Sequence, residues 1–256
     1  MTPAGHPIVA LWAHPRSMST ATERIMRERG DCTVFHEPFL ADYYVHRAVR
    51  EMPMLEVDDD APRDYESVRR MLLDAAAEGP VFFKDMSYYV VPRMFDDPDF
   101  ARRLVNVFLI RDPRRAIASY YKLDPAVTLA EIGLEAQWRH FSFLRDDLGA
   151  DPVVITAEAV QADPRGVIAE VWRRAGLPFV AGAFDWSGDE VPDNWKHVAG
   201  WHADVLASSG IRPAADDADE VFRAVSAEAR HLDAYLAHHA PFHERLRRHA
   251  LAPAQA

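Results

Sequence analysis

The sequence predicts an α/β fold in which a parallel β-sheet is flanked by helices on both faces. Three observations predict it: apolar runs too continuous for strands with a wet face, helical patterns lying between them, and glycine or proline at the changeovers. The length allows one substantial core, so residues 1–256 read as a single domain. Its core is expected over 7–180, with a loop or lid at 181–215 and a C-terminal helix at 216–245.

The elements follow in order. Pro7–Ala13 (PIVALWA) has the pattern of a strand buried on both faces. His14–Ser19 is a loop, and Thr20–Arg29 reads as a helix that stops at Gly30, a residue suited to the left-handed C-terminal position. Cys32–Phe35 is a second short strand. Leu40–Met52 and Arg63–Glu78 read as helices on either side of the acidic stretch 57–62, and Val81–Lys84 after Gly79-Pro80 is a third strand. Leu104–Ile110 (LVNVFLI) is another buried strand. Asp112-Pro113 behind it supplies an N-cap and a first-turn proline for a helix reaching about Tyr121. Thr128–Leu148 reads as one long helix, Pro152–Thr156 as the last strand and Pro164–Ala175 as the helix after it. Residues 184–210 read as a long loop able to close over a site. Asp217–His239 is an amphipathic helix, and the last ten residues are expected to fray.

Composition narrows the function. Hydrophobic residues at 49% and charged residues at 27% are ordinary for a soluble protein. A net charge of −11 argues against a nucleic-acid-binding surface, while a local positive site remains possible. No run of about 18 apolar residues exists to span a membrane, and the N-terminus lacks a basic secretory leader. The single cysteine, Cys32, can form no internal disulfide, so a reducing, cytoplasmic setting is expected. Set in the apolar run CTVF, it reads as a buried structural thiol. Nothing in the sequence signals an oligomeric state.

Two segments carry chemistry. The first is HPRSMSTAT, His14–Thr22, between the first strand and the first helix. A helix start offers unpaired N–H groups and the positive end of the helix dipole, which together cradle an anion. Arg16 adds a fixed charge with a donor fork, and Ser17, Ser19 and Thr20 add hydroxyls. The same residues also suit a plain N-cap, so this segment alone leaves both readings open. The second is FLIRDPRRAIASYY, Phe108–Tyr121. Arg111 ends a buried strand and Ser119 follows two turns into the next helix, so both can grip a second anionic group at the same sheet edge. Arg114 and Arg115 read as solvated helix charges.

Together these segments resemble the PAPS-dependent sulfotransferase family, in its bacterial-type branch. That family has a P-loop NTPase-like fold and pairs a 5′-phosphosulfate loop after its first strand with a 3′-phosphate segment R-x-P-x-x-x-x-x-S-Y-Y. This chain has PRSMST for the first, and Arg111, Pro113, Ser119, Tyr120 and Tyr121 for the second. The resemblance covers roughly residues 7–160. It implies that Pro15, Arg16, Ser17, Met18, Ser19 and Thr20 hold the 5′-phosphosulfate and that Arg111 and Ser119 hold the 3′-phosphate. Met18 stands where many members have glycine, which crowds the loop. Lys196, in DNWKH, is similar to a lysine in a family loop that covers the nucleotide. The resemblance implies PAPS as co-substrate, PAP as product, a small-molecule or carbohydrate acceptor, and no metal.

The same reading supplies a base for the acceptor's proton. Bacterial and Golgi-type relatives use a glutamate after the second strand, which Glu37 in FHEPF matches. His36 and Asp85 are the alternatives, with His36 expected on the opposite face of an extended segment. Glu37 also suits an ion pair with Arg16 or Lys84, which would weaken it as a base. Lys84 matches a lysine near the leaving-group oxygen, where it would stabilise developing charge. Tyr43, Tyr44, Tyr88, Tyr89 and Trp12 are offered as a group for the acceptor pocket. The absence of G-x-x-x-x-G-K-[ST] counts against a kinase, and a PAP-binding protein without catalysis remains a third reading. His231, His238, His239 and His243 do not share one helix face, so they read as a solvated face rather than a metal site.

Overall fold

The computed structural model describes residues 5–55, 61–91, 93–186, 210–211 and 217–252. Five strands form one parallel sheet in the order β2-β3-β1-β4-β5: β1 (Ile8–Ala13), β2 (Thr33–His36), β3 (Val81–Met86), β4 (Leu104–Ile110) and β5 (Val153–Thr156). Strands β1 and β3 are buried throughout; β1 is an unbroken apolar run, whereas β3 carries the buried polar pair Lys84-Asp85 after its apolar Val81–Phe83.

Alternate residues of each strand feed two cores, one on each face. Ile8, Ala10, Trp12, Phe83 and Phe108 belong to the first. The helices whose apolar residues join them are α2 (Tyr65–Glu78), α5 (Pro113–Leu123), α6 (Leu134–Ser142), α9 (Ala218–Glu228) and α10 (His231–Arg247). Val9, Leu11, Phe82, Val107 and Ile155 belong to the second, with α1 (Ser19–Glu28), α7 (Ala157–Ala162) and α8 (Pro164–Arg174). Short helices α3 (Ser87–Val90) and α4 (Pro98–Arg103) bridge β3 and β4, a stretch the sequence reading left without structure.

Several boundaries differ from expectation, each for a local reason. The helix expected over 40–52 is a short turn ending in the π-helical segment Asp42–His46. There Arg47 bonds back to Asp42, the next residues leave helical geometry, and Ala48 takes a positive φ. The helix expected over 128–148 is broken at Gly133, whose φ of 84° ends the turn Ala130–Ile132 and starts α6. A Cβ at Gly133 would meet His14 Cβ and Tyr88 Cδ1, both at 3.2 Å, so close packing against the first loop also requires glycine here. The helix expected over 217–239 is two, α9 and α10, parted at Ala229. Of the last ten residues, expected to fray, the described ones pack instead: α10 runs to Arg247 and Leu251 N–H donates to Val154 O at 2.8 Å, while 253–256 lie outside the described residues. Of the loop or lid expected over 181–215, residues 181–186 pack on the core instead, with Ala183, Phe184 and Trp186 buried in the second core, while 187–209 and 212–216 lie outside the described residues.

In a parallel sheet every strand ends on the same edge. Here the chain leaves β1 toward β2 and leaves β4 toward β5, so neighbouring connections part in opposite directions and open a crevice between the β1 and β4 ends. His14–Met18 and Arg111 border it. Glu37 and Ser87, after β2 and β3, lie farther along the same edge.

Candidate active site

The first loop is folded by backbone strain. Arg16 and Met18 both hold left-handed backbone, φ 63° and 73°, although neither is glycine. Such conformations cost about 1–3 kcal/mol each and cluster at functional sites. Met18 is the N-cap of α1, and its side chain offers no acceptor; the first turn holds no acidic residue. The positive end of the helix is therefore not offset by a local carboxylate.

The two segments that carry chemistry meet in the crevice. Arg16 Nε donates to Ser119 Oγ at 2.9 Å, and Arg111 Nη1 donates to Arg16 O at 2.8 Å. His14 ties the strand ends together: Arg111 N–H donates to His14 Nε2 at 3.0 Å, which puts the imidazole proton on Nδ1. Burial, with His243, Arg111 and His239 nearby, pushes the His14 imidazole down to about 3, so it stays neutral and able to accept. Burial also lowers Arg111. Ser17 is fully buried, and its Oγ, with Arg111 Nε, has no hydrogen-bond partner among the described residues. Orphaned donors beside two arginines and an open helix start suit an anionic ligand.

Farther along the edge the charges are paired. Lys84 Nζ donates to Glu37 Oε1 at 2.5 Å, with side-chain exposures of only 1% and 8%. This is one of the two pairings the sequence reading set beside a catalytic role. Burial alone would raise the Glu37 carboxyl, but Lys84 and then His36 hold it below the usual range. Tyr89 Oη donates to Glu37 Oε2 at 3.4 Å.

His36 departs from expectation. Neighbours on a strand point to opposite faces, but Glu37 takes φ 44° directly after β2, and this turn brings His36 Nε2 within 3.9 Å of Glu37 Oε1. His36 Nδ1 donates to Glu23 Oε2 on α1 at 2.6 Å. Asp85 has a different task. Its oxygens accept from Phe39 N–H at 2.8 Å and Met86 N–H at 2.9 Å, pinning the Glu37–Phe39 turn to β3. Burial, then the Glu37 charge, raise Asp85 well above the usual carboxylate range.

Tyr43, Tyr44, Tyr88 and Tyr89 pack edge to face or tilted in one buried cluster. Tyr44 Oη donates to Glu131 at 2.7 Å, and Arg50 spans Glu131 and Asp124. Trp12 is a core residue instead, donating to Asn106 Oδ1 at 2.8 Å and packed on Phe83 and His140. Sequence reasoning missed His14, Glu23, Glu131 and Arg50. Their roles arise from partners 74 or more residues away, or from a helix turn facing β2, and leave no local motif.

Lys196 lies outside the described residues. The four histidines are not one solvated face: His239 is buried and donates to Leu129 O at 2.7 Å, while His238 pairs with Glu135 at 2.8 Å. Among the described residues, no three His, Cys, Asp or Glu side chains group as metal ligands, and no helix is long and apolar enough to cross a membrane. Cys32 is half-buried rather than buried; burial and Asp31 push its thiol up to about 11.

A model of the sulfotransferase domain family matches residues 7–242. Among solved structures, the chain is similar to the sulfotransferase domain from the curacin biosynthetic pathway, with TM-score 0.52, 13% identity, and coverage of 88% of this chain and 98% of that one. It is likewise similar to the sulfotransferase domain from the Synechococcus PCC 7002 olefin synthase, with TM-score 0.52, 16% identity, and coverage of 90% and 98%. At these identities the likeness speaks for the fold. Two Arabidopsis thaliana proteins, branched-chain-amino-acid aminotransferase-like proteins 1 and 2, are 24% identical over 209 residues and 23% over 205. Each match takes in 80% of this chain, which spans only 36% of those relatives' length.

Proposed function

This chain belongs to the sulfotransferase domain family, and from that premise we propose that it moves a sulfuryl group from PAPS to a hydroxyl or amine of a small-molecule or carbohydrate acceptor, releasing PAP in the cytoplasm. The observation that carries the choice of donor is the contact between the two cradles, Arg16 with Ser119 and Arg111 with the Arg16 carbonyl. A ligand with anionic groups at both its 5′ and 3′ positions suits two adjoining cationic cradles; a plain nucleoside diphosphate engages one. The orphaned Ser17 Oγ and Arg111 Nε support an anionic occupant.

In this reading Pro15–Thr20, with Arg16, Ser17, Met18, Ser19 and Thr20, hold the 5′ end, and Arg111 and Ser119 hold the 3′-phosphate. When bound, the donor supplies an electrophilic sulfur and a phosphate leaving group. Arg16 and Ser17 counter charge at the phosphosulfate and orient it. Glu37 takes the acceptor's proton. Its pairing with Lys84 ties the two events together. The carboxylate loses its charge on protonation, and the Lys84 ammonium is released to stabilise charge at the leaving oxygen.

The test is a comparison of melting temperature with PAP, ADP and Mg-ATP. PAP alone is expected to give a large rise. A rise with Mg-ATP and none with PAP would favour a kinase, and PAP binding with no PAPS turnover across an acceptor panel would favour a protein that binds without catalysis.

A further inference from the structure

We propose that His14, braced from below by Gln137, is a positioning residue for the donor's 3′-phosphate. By holding Arg111 to the first loop it sets how much more tightly the site takes a nucleotide with a 3′-phosphate than one without. The inference rests on the donor reading above. His14 acts through Arg111 and is not a catalytic residue.

The register of β1 and β4 pairs Ile8–Trp12 with Leu104–Phe108, although β1 runs on to Ala13 and β4 to Ile110. Past the last paired residues, two fully buried side chains bridge the strand ends. Gln137 of α6 is the lower bridge: its Nε2 donates to Trp12 O at 2.9 Å and to Leu109 O at 3.0 Å. Two carbonyl partners fix which end of the amide faces the sheet. His14 is the upper bridge. It stands two residues beyond Trp12, as Arg111 stands two beyond Leu109, and Arg111 N–H donates to its Nε2 at 3.0 Å. α6 can come this close because it starts at Gly133, where a Cβ would meet His14 Cβ at 3.2 Å.

Arg111 is thereby gripped at both ends. Its backbone N–H goes to His14 Nε2 and its Nη1 to Arg16 O at 2.8 Å, so one loop holds the root and the tip of a single side chain. The His14 carbonyl accepts Ser17 N–H at 3.3 Å and keeps the loop curled behind that grip. A guanidinium fixed in this way presents its donor fork in one orientation and loses little rotamer freedom when an anion binds. The grip needs an imidazole nitrogen without a proton. Burial, then His243, Arg111 and His239, push the His14 imidazole down to about 3, so Nε2 stays an acceptor at any working pH.

A histidine that merely fastens β1 to β4 would steady every ligand of the crevice alike. Calorimetry on the full chain with PAP and with AMP, which differ only in the 3′-phosphate, separates the two roles. Wild type is expected to bind PAP about 10–100-fold more tightly than AMP, the worth of charge-assisted bonds to one phosphate. His14→Leu leaves the Arg111 N–H without its acceptor. There the preference for PAP is expected to fall to about threefold or less while AMP affinity stays within about threefold of wild type. His14→Gln, whose amide oxygen can accept the same N–H, is expected to keep most of the preference. An unchanged preference in His14→Leu, equal losses for both nucleotides, or no recovery in His14→Gln overturns the inference and leaves the donor reading standing. A wild type that binds PAP no more tightly than AMP overturns both. If His14→Leu does not fold, Gln137→Met decides: its preference for PAP is expected to fall by a smaller but resolved factor, and an unchanged preference overturns the inference.

Discussion

The β1/β4 half of the sheet edge and the β2/β3 half handle charge in opposite ways. At β1 and β4 the arginines are stitched to a hydroxyl and a backbone carbonyl, Arg16 to Ser119 and Arg111 to Arg16 O. At β2 and β3 the charges are matched within the protein, Lys84 with Glu37 and Glu23 with His36 and Arg27. Guanidinium groups keep their charge at any working pH, so the first half is a fixed positive field for a ligand to complete. The second half is built from groups that change charge. Binding calls for the former and proton handling for the latter, and the fold sets the two halves side by side on one edge.

The largest effect tests the proton-handling half. Glu37→Gln is expected to lower turnover of PAPS by about 10²–10⁴-fold while PAP affinity by calorimetry stays within about threefold; equal losses in both would erase the distinction between the halves. Next comes Lys84→Met, which leaves the Glu37 carboxylate buried without its partner. Urea unfolding should show a loss of about 3–5 kcal/mol. The double variant with Glu37→Gln should regain much of it, since no uncompensated charge remains.

Acid acts on the same half. The folded-state Glu23 carboxyl lies below its ordinary value of 4.5, at about 2. Its stabilisation is therefore complete above about pH 4.5 and is lost as pH falls toward 2, about 3 kcal/mol in all. Melting temperature against pH should show this acid limb, and Glu23→Gln should flatten it. In the cradle half the arginines do not titrate there, but His14, pushed down from 6.5 to about 3, loses stability as pH falls from about 6.5 toward 3, so Glu23→Gln should remove only the Glu23 part of the acid limb.

Arg111→Ala addresses the cradle half. It is expected to weaken PAP about 10–100-fold by removing charge-assisted hydrogen bonds, with the melting temperature nearly kept. Met18→Gly gives the smallest effect. Freed from a non-glycine φ of 73°, the loop should gain about 1 kcal/mol, a rise of about 2–4 °C in melting temperature.

The strands were legible because burial on both faces forces near-continuous apolar runs, as in PIVALWA and LVNVFLI. The first loop and Arg111 were legible because a strand end followed by a helix start is a local pattern. Helix continuity was less so. Gly133 reads as tolerable within a helix until its packing against His14 is seen, and the α9/α10 break at Ala229-Arg230 carries no glycine or proline to mark it.

The sequence alone determined the order of elements and the kinds of charge placed at the strand ends, because both depend on neighbours a few residues apart. Tertiary structure decided which charges meet. Lys84 reaches Glu37 across 47 positions, Arg16 reaches Ser119 across 103, and His14 reaches the Arg111 backbone across 97. Strand order and parallel register set these pairings. The hydrophobic packing that fixes strand order is non-directional, so no short stretch of sequence records it.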